Sequence, residues 1–126
     1  MERVGDSGGF GETAGYSRAV RAGTFVAVSA TAPMSEGQVL HLGDSYRQTQ
    51  VAIERALAAA DELGARRDDV LRTRLLLAPE CDWREAVRAH ADVFGDVRPA
   101  NTTYYVGRLI PQGALVEVEL DAAVGA

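Results

Sequence analysis

The most regular hydrophobic pattern of the chain lies near its C-terminus, over residues 115–122. Apolar residues alternate there with three acidic residues, Glu117, Glu119 and Asp121. A period of two is typical of a strand with one buried face. Because like charges on one face repel each other, the three carboxylates require open water or nearby cations. The pattern therefore predicts a strand with an apolar face and an acidic face.

Apolar residues at helical spacing predict two helices. The first covers residues 45–63 and ends at Gly64, and the second follows Asp82 and ends at Gly95. The first apolar stripe is rich in alanine, which permits close packing on a sheet. Its members are Thr49, Ala52, Ile53, Ala56, Leu57, Ala60 and Leu63. The stripe of the second helix consists of Trp83, Ala86, Val87, His90, Ala91 and Phe94.

Both predicted helices begin with the pattern of a capping box. Ser45 is followed three residues later by Gln48, and Asp82 is followed at the same spacing by Glu85. In a capping box the two side chains satisfy each other's free backbone N–H groups. We therefore expect Ser45 and Asp82 to cap the two helices.

Strands are predicted around and between the helices. Two short strands with a turn at Ala22-Gly23 precede the first helix, residues 70–77 form a buried strand, and residues 102–106 precede the last strand. This order suits an α+β fold with a single mixed sheet and both helices on one face. Residues 70–77 are nearly all apolar, so we expect another subunit to cover the opposite face.

Composition limits the broad class of the protein. A chain of 126 residues with 47% hydrophobic and 25% charged residues fits one globular domain, residues 1–126. Glycine-rich residues 1–13 predict a flexible lead-in, with order beginning near Tyr16. A net charge of -5 without a basic patch argues against a nucleic-acid partner. No segment is apolar enough for a membrane span or a signal peptide, so we expect a cytoplasmic protein.

The sequence contains little support for a metal site, a reactive cysteine or a phosphate-binding loop. His41 and His90 have no acidic or cysteine partner at ligand spacing, so no metal site is predicted. Cys81 lies between two acidic residues that disfavour its thiolate. A phosphate loop requires glycines that follow a predicted strand and open a predicted helix. The glycines of residues 8–11 do neither in this prediction. We expect no cofactor.

Several short motifs together resemble the Rid family (reactive intermediate deaminase, also called YjgF-like) over residues 14–123. In chain order they are Tyr16-Ser17, Ala19-Val20 with Gly23, Val28-Ser29, Asp82-Trp83-x-x-x-Val87, Phe94-Gly95, Arg98-Pro99-Ala100 and residues 115–119. Their order and spacing carry the resemblance, since no single motif is specific. The resemblance implies a chorismate-mutase-like α+β fold and a homotrimer with small-molecule sites in the clefts between subunits.

The resemblance also implies an activity and the residues that carry it. The best-known members hydrolyse 2-imino acids or their enamine tautomers to 2-keto acids and ammonia, with a glutamate that orients the attacking water. That position is Glu119 here, the predicted catalytic residue. The predicted substrate-binding positions are Tyr16, Ser17, Ala30, Thr31, Arg88, Asn101, Thr103 and Arg108.

Three positions depart from the family pattern. An arginine directly after the Pro-Ala pair clamps the substrate carboxylate in the deaminases, and this chain has Asn101 instead. An amide offers no charge, so carboxylate affinity should fall by an order of magnitude or more. The Gly-Gln pair after the strand serine is Ala30-Thr31, and an asparagine of the second helix is Arg88. Arg88 and Arg108 are the candidates for a replacement clamp.

Other interpretations of these residues stay open. Glu119 also suits a cross-strand ion pair with Arg72 or Arg74, Tyr16 also suits a packing role, and Asn101 is also a common turn residue. The sequence thus favours an imine or enamine deaminase-like hydrolase in an intersubunit cleft. A non-catalytic ligand-binding or regulatory trimer is the first alternative, and an endoribonuclease-like activity, weakened by the acidic charge, is the second.

Overall fold

The structure is a computed structural model that describes residues 1–6 and 8–125. Its strands are β1 Glu2–Val4, β2 Ala19–Ala22, β3 Phe25–Thr31, β4 Met34–Ser35, β5 Gln38–Val39, β6 Val70–Leu77, β7 Ala100–Tyr105 and β8 Val116–Ala123. Its helices are α1 Phe10–Ala14, α2 Ser45–Glu62 and α3 Trp83–Phe94. A single 3-10 turn, Arg67–Asp69, leads into β6.

Six strands form one mixed sheet in the order β1-β2-β3-β8-β6-β7. The pair β6 and β7 is parallel and every other pair is antiparallel. Parallel neighbours need a long crossover connection, and α3 supplies it. The predicted mixed sheet with two main helices is therefore confirmed. The predicted loop after Pro33 contains the small hairpin β4-β5, which the sequence analysis did not identify.

The core lies between α2 and the central strands. Ala52, Ile53, Ala56 and Ala60 of the predicted stripe are fully buried. They pack with alternate residues of the sheet, which are Val116, Val118, Leu120, Leu75 and Leu77. Small alanine side chains let the helix approach the sheet closely, so the predicted stripe determines where α2 sits.

The first helix is not capped as predicted. Asp44 is its N-cap, and the carboxylate of Asp44 accepts a hydrogen bond from the backbone N–H of Arg47 at 2.9 Å. Ser45 is instead the first helical residue, and its Oγ accepts from the backbone N–H of Asp82 at 2.9 Å. Ser45 thus joins the starts of the two helices.

Gln48 is fully buried and bonds to the segment before β8 rather than to its own helix. Its Nε2 donates to the carbonyl oxygens of His41 at 3.3 Å and Gly113 at 3.0 Å. Its Oε1 accepts from the backbone N–H of Leu115 at 2.7 Å. The buried N–H of Leu115 requires such a partner, and this requirement outweighs the local cap.

Only one half of the capping box predicted for α3 is present. Asp82 accepts hydrogen bonds from the backbone N–H groups of Arg84 and Glu85. The Glu85 carboxylate does not return to the cap, because it forms a two-point ion pair with Arg88, three residues further along α3. A charged partner on the same helix face competes successfully with a backbone donor.

The N-terminal lead-in contains regular structure, so the expectation that order begins near Tyr16 was wrong. Strand β1 pairs with β2 and places Arg3 opposite Val20. Gly11 of α1 lies against the next turn, where a Cβ atom would be 2.5 Å from the carbonyl oxygen of Tyr16. The glycine here permits close approach rather than looseness. A three-residue strand carries too little pattern to be predicted from sequence.

The face of the sheet away from α2 and α3, called the open face below, is charged. Arg72 and Arg74 of β6 lie opposite Asp121 and Glu119 of β8. The prediction that β6 is apolar on both faces was therefore wrong, since only alternate side chains of this strand reach the helices. The trimer stays a prediction that rests on the family resemblance. No helix in the described ranges is long and apolar enough to cross a membrane.

The Gln48 contacts generate a stability prediction. Gln48→Leu leaves the buried N–H of Leu115 and the carbonyl oxygen of Gly113 without partners inside the protein, while the carbonyl oxygen of His41 still accepts from the N–H of Asp44. We expect the free energy of unfolding to fall by about 1–3 kcal/mol, the usual cost of leaving a buried donor unpaired. Urea unfolding at one fixed protein concentration measures it. Gln50→Leu is the matched control, because the half-buried Gln50 lies on the same helix outside these contacts. Equal losses in both variants would contradict this role of Gln48.

Candidate active site

A cavity of about 330 Å³ lies between α3 and β7 and contains two of the predicted site residues. We call it the α3–β7 pocket. Its lining residues are Leu77, Trp83, Val87, Asn101, Thr103, Tyr104 and Tyr105. The parallel register places Asn101 beside Thr73, whose side chain is buried on the helix side of the sheet. The side chains of Asn101 and Thr103, two residues apart, therefore lie on the helix side.

Asn101 is held by a chain of side-chain hydrogen bonds. Its Nδ2 donates to Thr73 Oγ1 at 3.0 Å and to the Thr73 carbonyl oxygen at 3.4 Å, and its Oδ1 accepts from Thr103 Oγ1 at 2.8 Å. Thr73 Oγ1 lies 2.7 Å from Nε2 of His90. Burial lowers the pKa of His90, so its ring favours the neutral form. Thr73 and His90 are site-supporting residues that the sequence analysis missed.

Glu119 lies on the open face, beside a neighbouring strand's arginine. Its carboxylate is 3.3 Å from Arg74 Nη1, which is also 3.7 Å from Asp121. The side chains of Glu119 and Arg74 are both about one-third exposed. An ion pair with this exposure contributes little, about 0.2–1 kcal/mol. The cross-strand pair considered from the sequence is thus present, and it leaves the Glu119 carboxylate accessible.

Arg18, which the sequence analysis did not single out, donates hydrogen bonds to three predicted positions. Its Nη1 donates to the carbonyl oxygen of Ala30 at 2.6 Å and to Thr31 Oγ1 at 3.1 Å. Its Nη2 donates to the Tyr16 hydroxyl at 3.2 Å. The carbonyl oxygen of Ser17, the residue before Arg18, accepts from the hydroxyl of Ser29 at 2.8 Å. The guanidinium is therefore occupied by the protein itself.

Tyr16 also contacts the N-terminal segment. Its hydroxyl donates to the Asp6 carboxylate at 2.7 Å. This hydrogen bond raises the pKa of Tyr16 and lowers the pKa of Asp6, so the phenol and the carboxylate both keep their usual charge near neutral pH. A second cavity of about 530 Å³ lies here, and it is lined by glycines of the N-terminal segment together with the side chains of Arg3, Asp6, Glu12, Tyr16 and Ser17.

Glu117 is a second carboxylate of the open face. Burial raises its pKa, the Arg18 charge opposes that shift, and the Glu119 charge adds to it. Glu117 therefore holds a proton more readily than an exposed glutamate. The alternation near the C-terminus placed Glu117 in the acidic row, but no sequence pattern distinguished it from Glu119.

The two candidate replacement clamps lie outside the α3–β7 pocket. Arg88 forms its ion pair with Glu85 at 2.9 Å, and its guanidinium carbon lies 3.9 Å from the ring centre of Tyr46. Arg108 is exposed in the segment between β7 and β8, and it forms no ion pair within residues 1–6 and 8–125. Neither arginine lines the pocket that contains Asn101.

One chain does not unite the predicted site. Glu119 points to the open face, while Asn101 lies on the helix side of the sheet. Ala30 and Thr31 lie at the C-terminal end of β3. Strands β8 and β6 lie between β3 and β7 in the sheet. Three strand spacings amount to about 14 Å, more than a small ligand spans. The predicted residues therefore form two half-sites, one on the helix side of edge strand β7 and one at the central strands β3 and β8.

Other reactive groups do not form a site in the described part of the chain. No three His, Cys, Asp or Glu side chains there come together to hold a metal ion. Cys81 is buried, and burial raises the pKa of its thiol, which disfavours a nucleophilic thiolate.

Comparisons with known proteins agree with the fold. The family model described as Endoribonuclease L-PSP matches residues 10–124. An uncharacterized protein of Streptomyces coelicolor is 37% identical over 126 residues, which is 100% of this chain and 94% of that protein. The 3-aminoacrylate deaminase RutC of Acinetobacter baylyi is 30% identical over 104 residues, 82% of each chain.

A solved structure gives the same result. Rv2704 of Mycobacterium tuberculosis, described as a member of the YjgF/YER057c/UK114 family, superposes with a TM-score of 0.86. It is 37% identical, and the match covers 98% of both chains. The family-model match and the whole-length relatives confirm the resemblance seen in the sequence: the chain belongs to the Rid, or YjgF-like, family.

Proposed function

We propose that this protein hydrolyses a small imine or enamine to a carbonyl compound and ammonia, in a cleft between two subunits. The observation that carries the proposal is the placement of Glu119, an accessible carboxylate on the open face of a fold related to a 3-aminoacrylate deaminase. The two half-sites support the intersubunit cleft, because a ligand that contacts both needs a second copy of the chain.

Water attack on the imine carbon needs a proton acceptor. As the C–O bond forms, the Glu119 carboxylate takes a proton from water and the imine nitrogen gains one. The resulting carbinolamine then loses ammonia when its C–N bond breaks and its hydroxyl releases a proton. Arg74 at 3.3 Å orients the Glu119 carboxylate during these transfers, and Glu117, two residues away on the same face and with a raised pKa, is the candidate to supply a proton to the nitrogen.

The absence of the clamp arginine limits the substrate. Both hydrogens of the Asn101 amide are already donated to Thr73, and Arg18 and Arg88 are occupied by protein groups. A carboxylate would therefore lose its water without gaining a charged partner. We expect neutral imines or enamines to react faster than the corresponding acids.

A non-catalytic ligand-binding trimer is the second candidate. The ion pair of Glu119 with Arg74 favours it, since a carboxylate can be kept for cross-strand pairing alone. Ammonia release from any imine or enamine separates the two candidates.

The assembly is the first prediction of this proposal. Light scattering at micromolar concentration should give about three times the 13.4 kDa mass of one chain, as the family's trimer requires. A monomer at that concentration would leave the two half-sites apart and would refute the intersubunit cleft.

The role of Glu119 is tested with a matched pair of variants. Glu119→Gln should lower the turnover of 3-aminoacrylamide, a neutral analogue of the RutC substrate, by about a hundred-fold or more. Asp121→Asn removes the other carboxylate near Arg74 and should stay within about three-fold of the unaltered protein. Ammonia release measures both. Equal losses would show that the charge balance around Arg74 matters rather than water activation by Glu119.

The missing clamp is tested by restoring it. Asn101→Arg should raise deamination of 2-iminobutanoate by about ten-fold or more, since a charge-assisted bond contributes about 1.5–3 kcal/mol. Thr102→Arg adds the same charge on the other face of β7 and should bring no gain. Adding Glu119→Gln to Asn101→Arg should abolish the increase. An intact trimer without any increase would indicate a different substrate or the binding-protein alternative.

A further inference from the structure

Asp6 of the N-terminal segment holds its carboxylate against a hydroxyl and a cation of the predicted cleft. Its Oδ2 accepts from the Tyr16 hydroxyl at 2.7 Å, and its Oδ1 lies 3.9 Å from Arg18 Nη2 and 3.4 Å from the backbone nitrogen of Gly8. A guanidinium, a hydroxyl and a backbone N–H are groups that donate to carboxylate ligands in proteins. These three groups therefore surround Asp6 as a binding site surrounds a ligand.

The chain before α1 brings Asp6 to this position. The backbone N–H of Arg18 donates to the carbonyl oxygen of Val4 at 2.8 Å, which extends the pairing of β1 with β2. Gly11 lets α1 approach, since a Cβ atom there would lie only 3.2 Å from Cβ of Asp6. The side chain of Asp6 is 16% exposed. The family model matches from residue 10 onwards, so this carboxylate comes from outside the matched part of the chain.

Arg18 keeps part of its donor capacity for a ligand. Its Nη1 already donates to the Ala30 carbonyl oxygen and to Thr31 Oγ1, whereas within residues 1–6 and 8–125 Nη2 has a hydrogen bond to the Tyr16 hydroxyl alone. The 3.9 Å to Asp6 is too long for a hydrogen bond, so the two charges attract each other without using the second hydrogen of Nη2. A free carboxylate can approach this hydrogen more closely.

The donors lie beside the carboxylates of the open face. The charge of Arg18 acts on Glu117, where it opposes the rise in pKa that burial causes. Glu119 is two residues further along the same face of β8. A carboxylate bound by Tyr16 and Arg18 would therefore direct the rest of a small ligand towards the acidic row that contains Glu119.

We propose that Tyr16 and Arg18 form a carboxylate-binding site and that Asp6 occupies it, so that Asp6 is a specificity-determining residue that excludes carboxylate substrates. The inference rests on the proposed function and names the residue that selects its substrates. A ligand carboxylate must displace one that is already bonded and tethered by the chain, which lowers its apparent affinity. A neutral substrate needs no such contact and is not affected.

Removing the Asp6 carboxylate tests the assignment directly. Asp6→Ala should bind 2-oxobutanoate, the keto acid formed from 2-iminobutanoate, about ten-fold or more tighter than the unaltered protein does. Isothermal titration calorimetry of the intact assembly at pH 7.5 measures this binding. The ratio of 2-iminobutanoate turnover to 3-aminoacrylamide turnover should rise by about the same factor.

Glu2→Ala is the matched control. It removes one negative charge from the same segment, and Glu2 lies on β1 outside the cavity beside Tyr16. Its affinity for 2-oxobutanoate should stay within about three-fold of the unaltered protein. Equal gains in Asp6→Ala and Glu2→Ala would reduce the effect to net charge and overturn the inference.

Two further variants keep the test decisive. Asp6→Asn removes the charge with little change of shape and should give a smaller gain of the same sign, so it replaces Asp6→Ala if that variant does not fold. Tyr16→Phe, added to either variant, removes the hydroxyl donor and should reverse most of the gain. No gain in a folded Asp6 variant, or a gain that Tyr16→Phe leaves unchanged, would overturn the assignment.

Binding and turnover distinguish this inference from the proposed function. Tighter 2-oxobutanoate binding in Asp6→Ala without ammonia release from any imine would refute the hydrolase and leave the assignment of Asp6 in place. Ammonia release combined with unchanged 2-oxobutanoate binding in Asp6→Ala would do the reverse.

Discussion

Side chains alternate between the two faces along β6 and β8, and the rest of the structure depends on this constraint. The pairing of the two strands places Leu75 and Val118 against the helices and Arg74 and Glu119 on the open face. The apolar half of each strand holds α2 in place, so neither face can change without moving the core. The acidic row seen in the sequence is therefore fixed by the same interaction that stabilises the fold.

The same alternation separates the functional groups. Asn101 and Thr103 lie on the helix side of edge strand β7, and Glu119 lies on the open face of β8. A sheet is a barrier that a small ligand in one chain does not cross. In the proposed trimer the two half-sites can come together, because an edge of one copy can meet a face of another. A complete site thus depends on assembly more than on any single residue.

Sequence patterns predicted the main elements because those elements come from local periodicity. The α2 stripe and the acidic alternation of β8 each repeat a signal over several turns or residues. What failed depended on distant partners. Gln48 looked like a cap residue but satisfies the backbone around Leu115, and Ser45 bonds to Asp82. No local pattern reports that a residue 67 positions away needs a hydrogen bond.

The sequence predicted several residues of the candidate site but not how they are held in place. The family motifs identified Asn101 and Glu119, and the loss of the clamp arginine was visible as a single substitution. They did not show that Thr73 and His90 hold the Asn101 amide or that Arg18 gathers Tyr16 and Ala30. Hydrogen-bond direction is a property of the assembled site, and no local sequence pattern indicates it.

Subunit complementation tests the central claim, that two copies complete one site. Glu119→Gln removes the carboxylate, and Thr103→Trp fills the α3–β7 pocket, so each variant alone should be inactive. When the two are refolded together in equal amounts, about a quarter of the clefts should combine an unaltered carboxylate with an unaltered pocket. The account predicts that ammonia release returns to about that fraction of the unaltered rate. Mixed assemblies that stay inactive would place the site within one chain and contradict the account.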